Sequence, residues 1–286
     1  MQQTIIFFGS GDYTIPIVEK LINHNLKLVV SIEKESKLEK FCESKGIDFI
    51  TDNLKDENTK KRIQNLNPSI AILASYGAYI PKNVINTFKN GIINIHPSLL
   101  PKWKGPSPIQ YTLLNSDTQT GVTLIKLDNE IDHGPILSQE KFDLKGTETT
   151  KELLDILFSQ GAEMIKKIIV KLENGEALNE TPQDHSKESW SYKIEKKDGE
   201  INLNSIPTSE LEIKNFKLEI ARKVRAFYPW PGVWFVTKLK SKPTRIKLLP
   251  NNMIQPENKN AMNYKDFING YGEEGKDLLE KLKLAY

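Results

Sequence analysis

Cysteine is almost missing: Cys42 stands alone in 286 residues, which excludes an internal disulfide and any pair of thiols. Its setting is a charged stretch from Glu33 to Lys45 with Leu38 and Phe41 at helical spacing. A half-buried helix residue is therefore expected there, not a nucleophile. Histidine is scarce too, and His24, His96, His133 and His185 lack the paired spacing that zinc sites use, so no metal is expected. No apolar run is long enough for a membrane span. The first strand is expected to start by Thr4, which leaves no room for a signal or transit peptide and makes the cytoplasm the expected compartment. There is no internal repeat and no low-complexity tract.

What is present is enough apolar material, 38% of residues, to build cores in a chain longer than one ordinary core organises. Short apolar runs predict strands near Thr4 to Phe8, Leu28 to Ser31, Ile47 to Ile50, Ile70 to Leu73, Ile92 to Ile95, Val122 to Leu127 and Ile136 to Glu140. Helical patterns lie between the early ones. Ile15 to Ile22 carries an apolar face, and Thr149 with Glu152 has the spacing of a capping box before a long helix that Gly175 is placed to stop. The alternation predicts an α/β fold with a doubly wound, mostly parallel sheet. Gly9-Ser10-Gly11 invites a dinucleotide reading, yet the third glycine would be residue 14, which is Thr14.

The densest chemistry lies in Asn94-Ile95-His96-Pro97-Ser98-Leu99-Leu100-Pro101, followed 36 residues after His96 by Asp132 in Glu-Ile-Asp-His-Gly-Pro-Ile. Alternation along an extended chain puts the Asn94 amide and the His96 imidazole on one side of the strand. Asp132 closes a second apolar run and a short turn, so a neighbouring strand can bring its carboxylate to the ring. An amide, an imidazole and a carboxylate at strand carboxyl ends can stabilise an oxyanion and steer protons at one carbon. That points to acyl transfer without a covalent enzyme intermediate.

From about Glu180 to Asn204 the composition turns polar, which predicts a linker over residues 183–204 between a catalytic domain, 1–182, and a carboxyl-terminal domain, 205–286. Residues 191–286 carry 18 Lys or Arg against 12 Asp or Glu, net +6, leaving net −3 for residues 1–190. Between 221 and 250 there are eight basic residues and no acid, an arrangement suited to phosphates. Pro229-Trp230-Pro231 is expected to pack as a corner rather than stack on bases.

Taken together, NIHPSLLPKWKGPSPIQ and TQTGVTLIKLDNEIDHGPIL resemble the signature of the folate-dependent formyltransferases, and Phe7 to Ser10, Arg225 to Gly232 and Pro256 to Gly270 extend the likeness along the chain. The resemblance implies a formyltransferase-type first domain with Asn94, His96 and Asp132 as the catalytic trio. It also implies 10-formyltetrahydrofolate as formyl donor, no metal, and initiator methionyl-tRNA as acceptor. Ser98, Leu99, Leu100 and Pro101 match the folate-contacting stretch, while Tyr76 and Gly77 match a loop that cradles the pterin through its backbone. The basic second domain would hold the tRNA acceptor arm, with Lys102 and Lys104 reaching the terminal nucleotides, no membrane involved and a monomer expected. Two segments depart from the pattern: the basic loop after the second strand shrinks to Glu33-Lys34-Glu35-Ser36-Lys37, and the short link from Leu249 to Met253 predicts an abbreviated, open version of the β-barrel-like second domain.

The same formyl chemistry serves other acceptors. A nucleotide-linked amino sugar is the main alternative. Glycinamide ribonucleotide needs only the first domain, and a hydrolase would usually carry a regulatory domain at the amino end. A noncatalytic RNA-binding module predicts a broken trio.

Overall fold

The structure is a computed structural model that describes residues 3–284. It divides into two compact units, one of residues 3–108, 119–143 and 154–191, the other of 109–118, 144–153 and 192–284. Within the stretch expected to be a linker, residues up to Ser191 belong to the first unit, and Gln183 and Ser191 are buried there. Their polar side chains bond main-chain groups, so polarity marked internal hydrogen bonding rather than exposure.

In the first unit a seven-stranded sheet runs β3-β2-β1-β4-β5-β6-β7. The strands are β1 Ile5–Gly9, β2 Leu26–Ser31, β3 Phe49–Thr51, β4 Ile70–Ala74, β5 Ile92–His96, β6 Gln119–Lys126 and β7 Ile136–Asp143. Strands β1 to β5 are parallel, whereas β6 pairs antiparallel with both β5 and β7. Parallel strands are covered on both faces, which is why Ile5-Ile6-Phe7-Phe8 and Ile92-Ile93 read as unbroken apolar runs. Edge strand β7 alternates instead, and its outer residues are exposed.

Helix α1, Ile15–Ile22, carries a proline in its first turn and buries Ile17, Val18 and Leu21. Helix α2, Lys37–Ser44, buries Cys42 fully, not halfway as its charged neighbours suggested, and buries Leu38 one turn earlier on the same face. A later helix, α3, spans Glu57–Asn65 and buries Ile63. Short helices α4, Lys82–Ile85, and α5, Pro108–Leu114, follow β4 and β5.

The long helix α6, Thr150–Glu173, opens on the expected capping box: Thr149 N donates to Glu152 Oε2 at 2.8 Å and Glu152 N to Thr149 Oγ1 at 3.3 Å. It ends where Gly175 takes φ 77°, with Gly175 N bonded to Leu172 O and Glu176 N to Lys171 O. A Cβ on Gly161 would stand 2.6 Å from Ile95 Cγ2, so that glycine lets α6 lie close against β5.

The second unit holds α7, Glu210–Ala226, an antiparallel sheet of β8 Val233–Leu239, β9 Lys242–Leu249, β10 Met253–Pro256 and β11 Met262–Asn263, and α8, Tyr264–Lys281. The sheet is an open meander in the order β11-β10-β9-β8, the abbreviated form that the short β9–β10 link allows. The β8–β9 turn is only Lys240-Ser241, both at positive φ, 50° and 66°, as in a type I′ hairpin. Phe235, Ile246, Leu248, Ile254, Phe267 and Leu279 form its buried side. No helix among the described residues is long and apolar enough to cross a membrane.

Candidate active site

Strand order reverses at β1, which has β2 on one side and β4 on the other, and crevices at the carboxyl ends of strands beside such a reversal are where ligands sit in these sheets. Strand β5 delivers Asn94 and His96 to that end, paired with Ile125 and Thr123 of β6. Asp132 lies in the turn between β6 and β7 at φ 49°. The three side chains converge as their spacing implied. Asn94 Nδ2 donates to Asp132 Oδ1 at 3.0 Å, and His96 Nδ1 stands 3.5 Å from the same oxygen. All three residues are less than one-tenth exposed, at 8%, 4% and 9% for Asn94, His96 and Asp132, so water has little access to the carboxylate.

Three further groups hold the trio, none of them evident in the sequence. Gly105 N donates to Asp132 Oδ2 at 2.8 Å. His96 Nε2 lies 2.9 Å from Trp103 O, and because a carbonyl only accepts, Nε2 carries a proton. Gln183 Nε2 donates to the carbonyls of Asp132 and Gly134 at 2.9 and 2.8 Å, fixing the left-handed turn. Two of these three groups are main-chain atoms, which no residue type betrays, and Gln183 lies 51 residues after Asp132 in a segment that reads as linker. One signal was available: glycine at 105, where a Cβ would meet Ser191 O at 2.4 Å.

The stretch Ser98 to Pro101 is pinned from β6. Thr123 Oγ1 donates to Ser98 O at 2.6 Å and accepts from Leu100 N at 3.1 Å, and Gln139 Nε2 bonds Leu100 O. Ser98 and Leu100 are buried, while Leu99 and Pro101 are partly exposed. After β4 the chain turns through Ser75 and Gly77, at φ 52° and 76°. Tyr76 between them points into the core, where it packs edge-on to Phe8 and donates its hydroxyl to Asp52 O at 2.6 Å. Burial pushes that phenol well above its ordinary value, so only the main chain of residues 76 and 77 can face a ligand.

Lys104 corrects an expectation. It is 1% exposed, with Nζ 2.6 Å from Glu188 Oε2 and 3.2 Å from His185 Nδ1 and lying over the Trp190 ring, so it cannot reach a nucleotide as the fold stands. His185 in turn stacks on His133 at 4.1 Å, and His133 Nδ1 meets Asp128 Oδ2 at 2.7 Å. Trp230 departs too: it is 58% exposed rather than packed. In the second unit, cross-strand pairing puts Trp234, Val236, Lys238, Arg245 and Lys247 on one face of the meander, with Arg245 over the Trp234 ring at 4.8 Å.

A doubly wound sheet presenting amide, imidazole and carboxylate at one strand end defines an enzyme class that moves an acyl group between two nucleophiles without using one of its own. The comparisons narrow that class. Residues 8–169 match the model of the family described as formyl transferase, which is more than half of the chain. A methionyl-tRNA formyltransferase of Thermodesulfovibrio yellowstonii is 30% identical over 94% of this chain and 96% of its own length. One from Finegoldia magna is 32% identical over 99% and 93%. Among solved structures, a 4-N formyltransferase from Francisella tularensis overlays with a TM-score of 0.66 at 20% identity, covering 88% of this chain and 99% of that one. The chain belongs to the formyl transferase family.

Proposed function

We propose that this chain transfers the formyl group of 10-formyltetrahydrofolate to the amino group of initiator methionyl-tRNA, in the cytoplasm, for translation initiation. The observation that carries the acceptor is the reach of the likeness. Relatives named for that activity align with 94% and 99% of this chain, the basic second unit included. The exposed face bearing Lys238, Arg245 and Lys247 beside Trp234 supports an RNA partner, since phosphates are met by cations and bases by aromatic or guanidinium planes.

The residues fit a folate donor. Main chain at Gly77 lies beside Ile32, an exposed apolar side chain 3.1 Å from where a Cβ of residue 77 would be, which suits a flat ring with a polar edge. Ser98 to Pro101, which follow β5 directly, are the other stretch expected to contact it. The donor's contribution is an activated one-carbon unit.

Everything else is done by the trio. One Asn94 amide hydrogen is spent on Asp132, and the other is free to meet the oxygen that gains charge as the amine adds. His96 stands beside it, with Nε2–H given to Trp103 O and Nδ1 toward Asp132, and would serve that oxygen on turning a ring N–H from one of them. Asp132 orients both, takes the proton that the amine sheds, directly or through a water, and returns it to the donor nitrogen as the old formyl C–N bond breaks and tetrahydrofolate leaves. Each donor lost should cost roughly a hundredfold in rate.

The test is a formylation assay with purified protein and 10-formyltetrahydrofolate, offering methionyl-tRNA, a nucleotide-linked amino sugar, or no acceptor. Formyl-methionyl-tRNA is the expected product. Formylation of the sugar alone, or release of formate with no acceptor, would replace this reading.

A further inference from the structure

The catalytic side chains are gripped by a loop with no regular structure of its own. Trp103 O accepts a hydrogen bond from His96 Nε2–H, Gly105 N–H donates to Asp132 Oδ2, and Lys104 is the residue between them. Trp103 sits at φ 60°, a conformation that persists in such a residue only where the surroundings impose it, and Gly105 takes φ 97°, which glycine adopts freely.

The surroundings here are the segment 185–191. Lys104 N donates to Ser189 O at 2.9 Å, Ser191 N to Lys104 O at 2.7 Å, and Trp103 N to Ser189 Oγ at 3.0 Å. The Lys104 side chain runs the other way and ties down the start of that same segment through Glu188 and His185. Burying an ammonium costs free energy that a methionine of similar shape would not incur, so its presence needs a reason other than packing.

We propose that Lys104 is a positioning residue for the catalytic trio: its buried ammonium, locked to Glu188 and His185, fixes the Trp103–Gly105 backbone that orients His96 and Asp132. The proposal rests on the assignment of His96 and Asp132 as catalytic. On loss of the lock Ser98 and Leu100 stay pinned by Thr123 and Gln139, while Pro101, whose carbonyl accepts from Ser189 N at 3.2 Å, loses one contact. The effect therefore belongs in turnover and not in affinity. The titratable groups around the lock are Glu188 and His185 on the segment, and His133 and Asp128 beyond the imidazole stack. Glu188 itself is held below the usual carboxylate range by the Lys104 hydrogen bond first and by Trp190 second.

Three variants of the full chain test this: Lys104→Met, Glu188→Gln and the double substitution. The readouts are kcat and KM for donor and acceptor, the pH profile of kcat, and the ring-nitrogen NMR shifts of His96. Expected are a fall in kcat of roughly tenfold to a hundredfold with KM within about threefold, a moved pH limb, and altered His96 shifts. The double variant should be no worse than Lys104→Met alone, because the two groups act as one unit. If Lys104→Met fails to fold, Glu188→Gln decides by the same measures. Unchanged kcat, pH limb and His96 shifts in a folded variant, or a raised KM with kcat intact, would overturn the proposal. His96→Ala separates the two claims: full activity there would remove the catalytic assignment, while the ring shifts in the other variants still report whether Lys104 positions His96.

Discussion

Single residues carry the chemistry, and their replacement should separate rate from binding. His96→Ala or Asp132→Asn is expected to lower turnover by roughly two to four decades while tRNA affinity stays nearly constant, as single-turnover assays and filter binding would show. Gly105→Ala is the sharper test of geometry: a Cβ 2.4 Å from Ser191 O must displace backbone, so both melting temperature and kcat should fall. A calorimetric scan and a rate measurement on the same preparation check it. Cys42 behaves oppositely. Burial, then Glu39 and Glu43, push its thiol up to about 11, so at pH 8 only about one molecule in a thousand carries the thiolate. Alkylation at that pH should be very slow in the native protein and rapid after denaturation, which a timed labelling assay would register. Asn94, His96 and Asp132 were legible because polar side chains at the ends of apolar strands advertise themselves. Trp103 O and Gly105 N were not, since backbone atoms act without regard to residue type.

Elements differ in how openly they announce themselves. The capping box at Thr149 and Glu152, the Gly175 stop and the apolar strand runs are local chemistry, and all of them fall within a few residues of where the pattern puts them. The β8–β9 turn was hidden because Lys-Ser is a poor choice for two left-handed positions, where asparagine or glycine is usual. Ser241→Gly should therefore stabilise the hairpin by roughly 1 kcal/mol, seen as a higher denaturant midpoint with an unchanged slope.

The segment 185–191 makes a pH prediction. Glu188 has a depressed folded value, so the stability it adds is present above its unfolded value and is lost as pH falls through the folded one. Amide exchange in 185–191, compared with the rest of the chain, should accelerate selectively on acidification below the ordinary glutamate range. Glu188→Gln should abolish that acid dependence.

At the scale of the whole molecule, charge is partitioned by sequence, net +6 over residues 191–286 against net −3 before them. Neutralising Lys238, Arg245 and Lys247 together should weaken tRNA binding and flatten its salt dependence by about one unit of slope for each phosphate left without its cation. Binding isotherms over a salt series measure this, and an unaltered slope would remove the basic face from the interface.

Sequence alone determined the doubly wound sheet, its helix ends, the open second sheet and the meeting of Asn94, His96 and Asp132. Each depends on periodicity, on residue type or on the length of chain between strands. Tertiary structure alone decided that Lys104 is buried and locked instead of reaching RNA, that Tyr76 faces the core, that Trp230 is exposed, and that Gln183 and Ser191 in a mostly exposed polar stretch are buried. A charged or aromatic side chain has the same composition wherever it lies. Its role is set by which partners the fold brings within hydrogen-bond distance, and those partners here come from segments more than eighty residues apart.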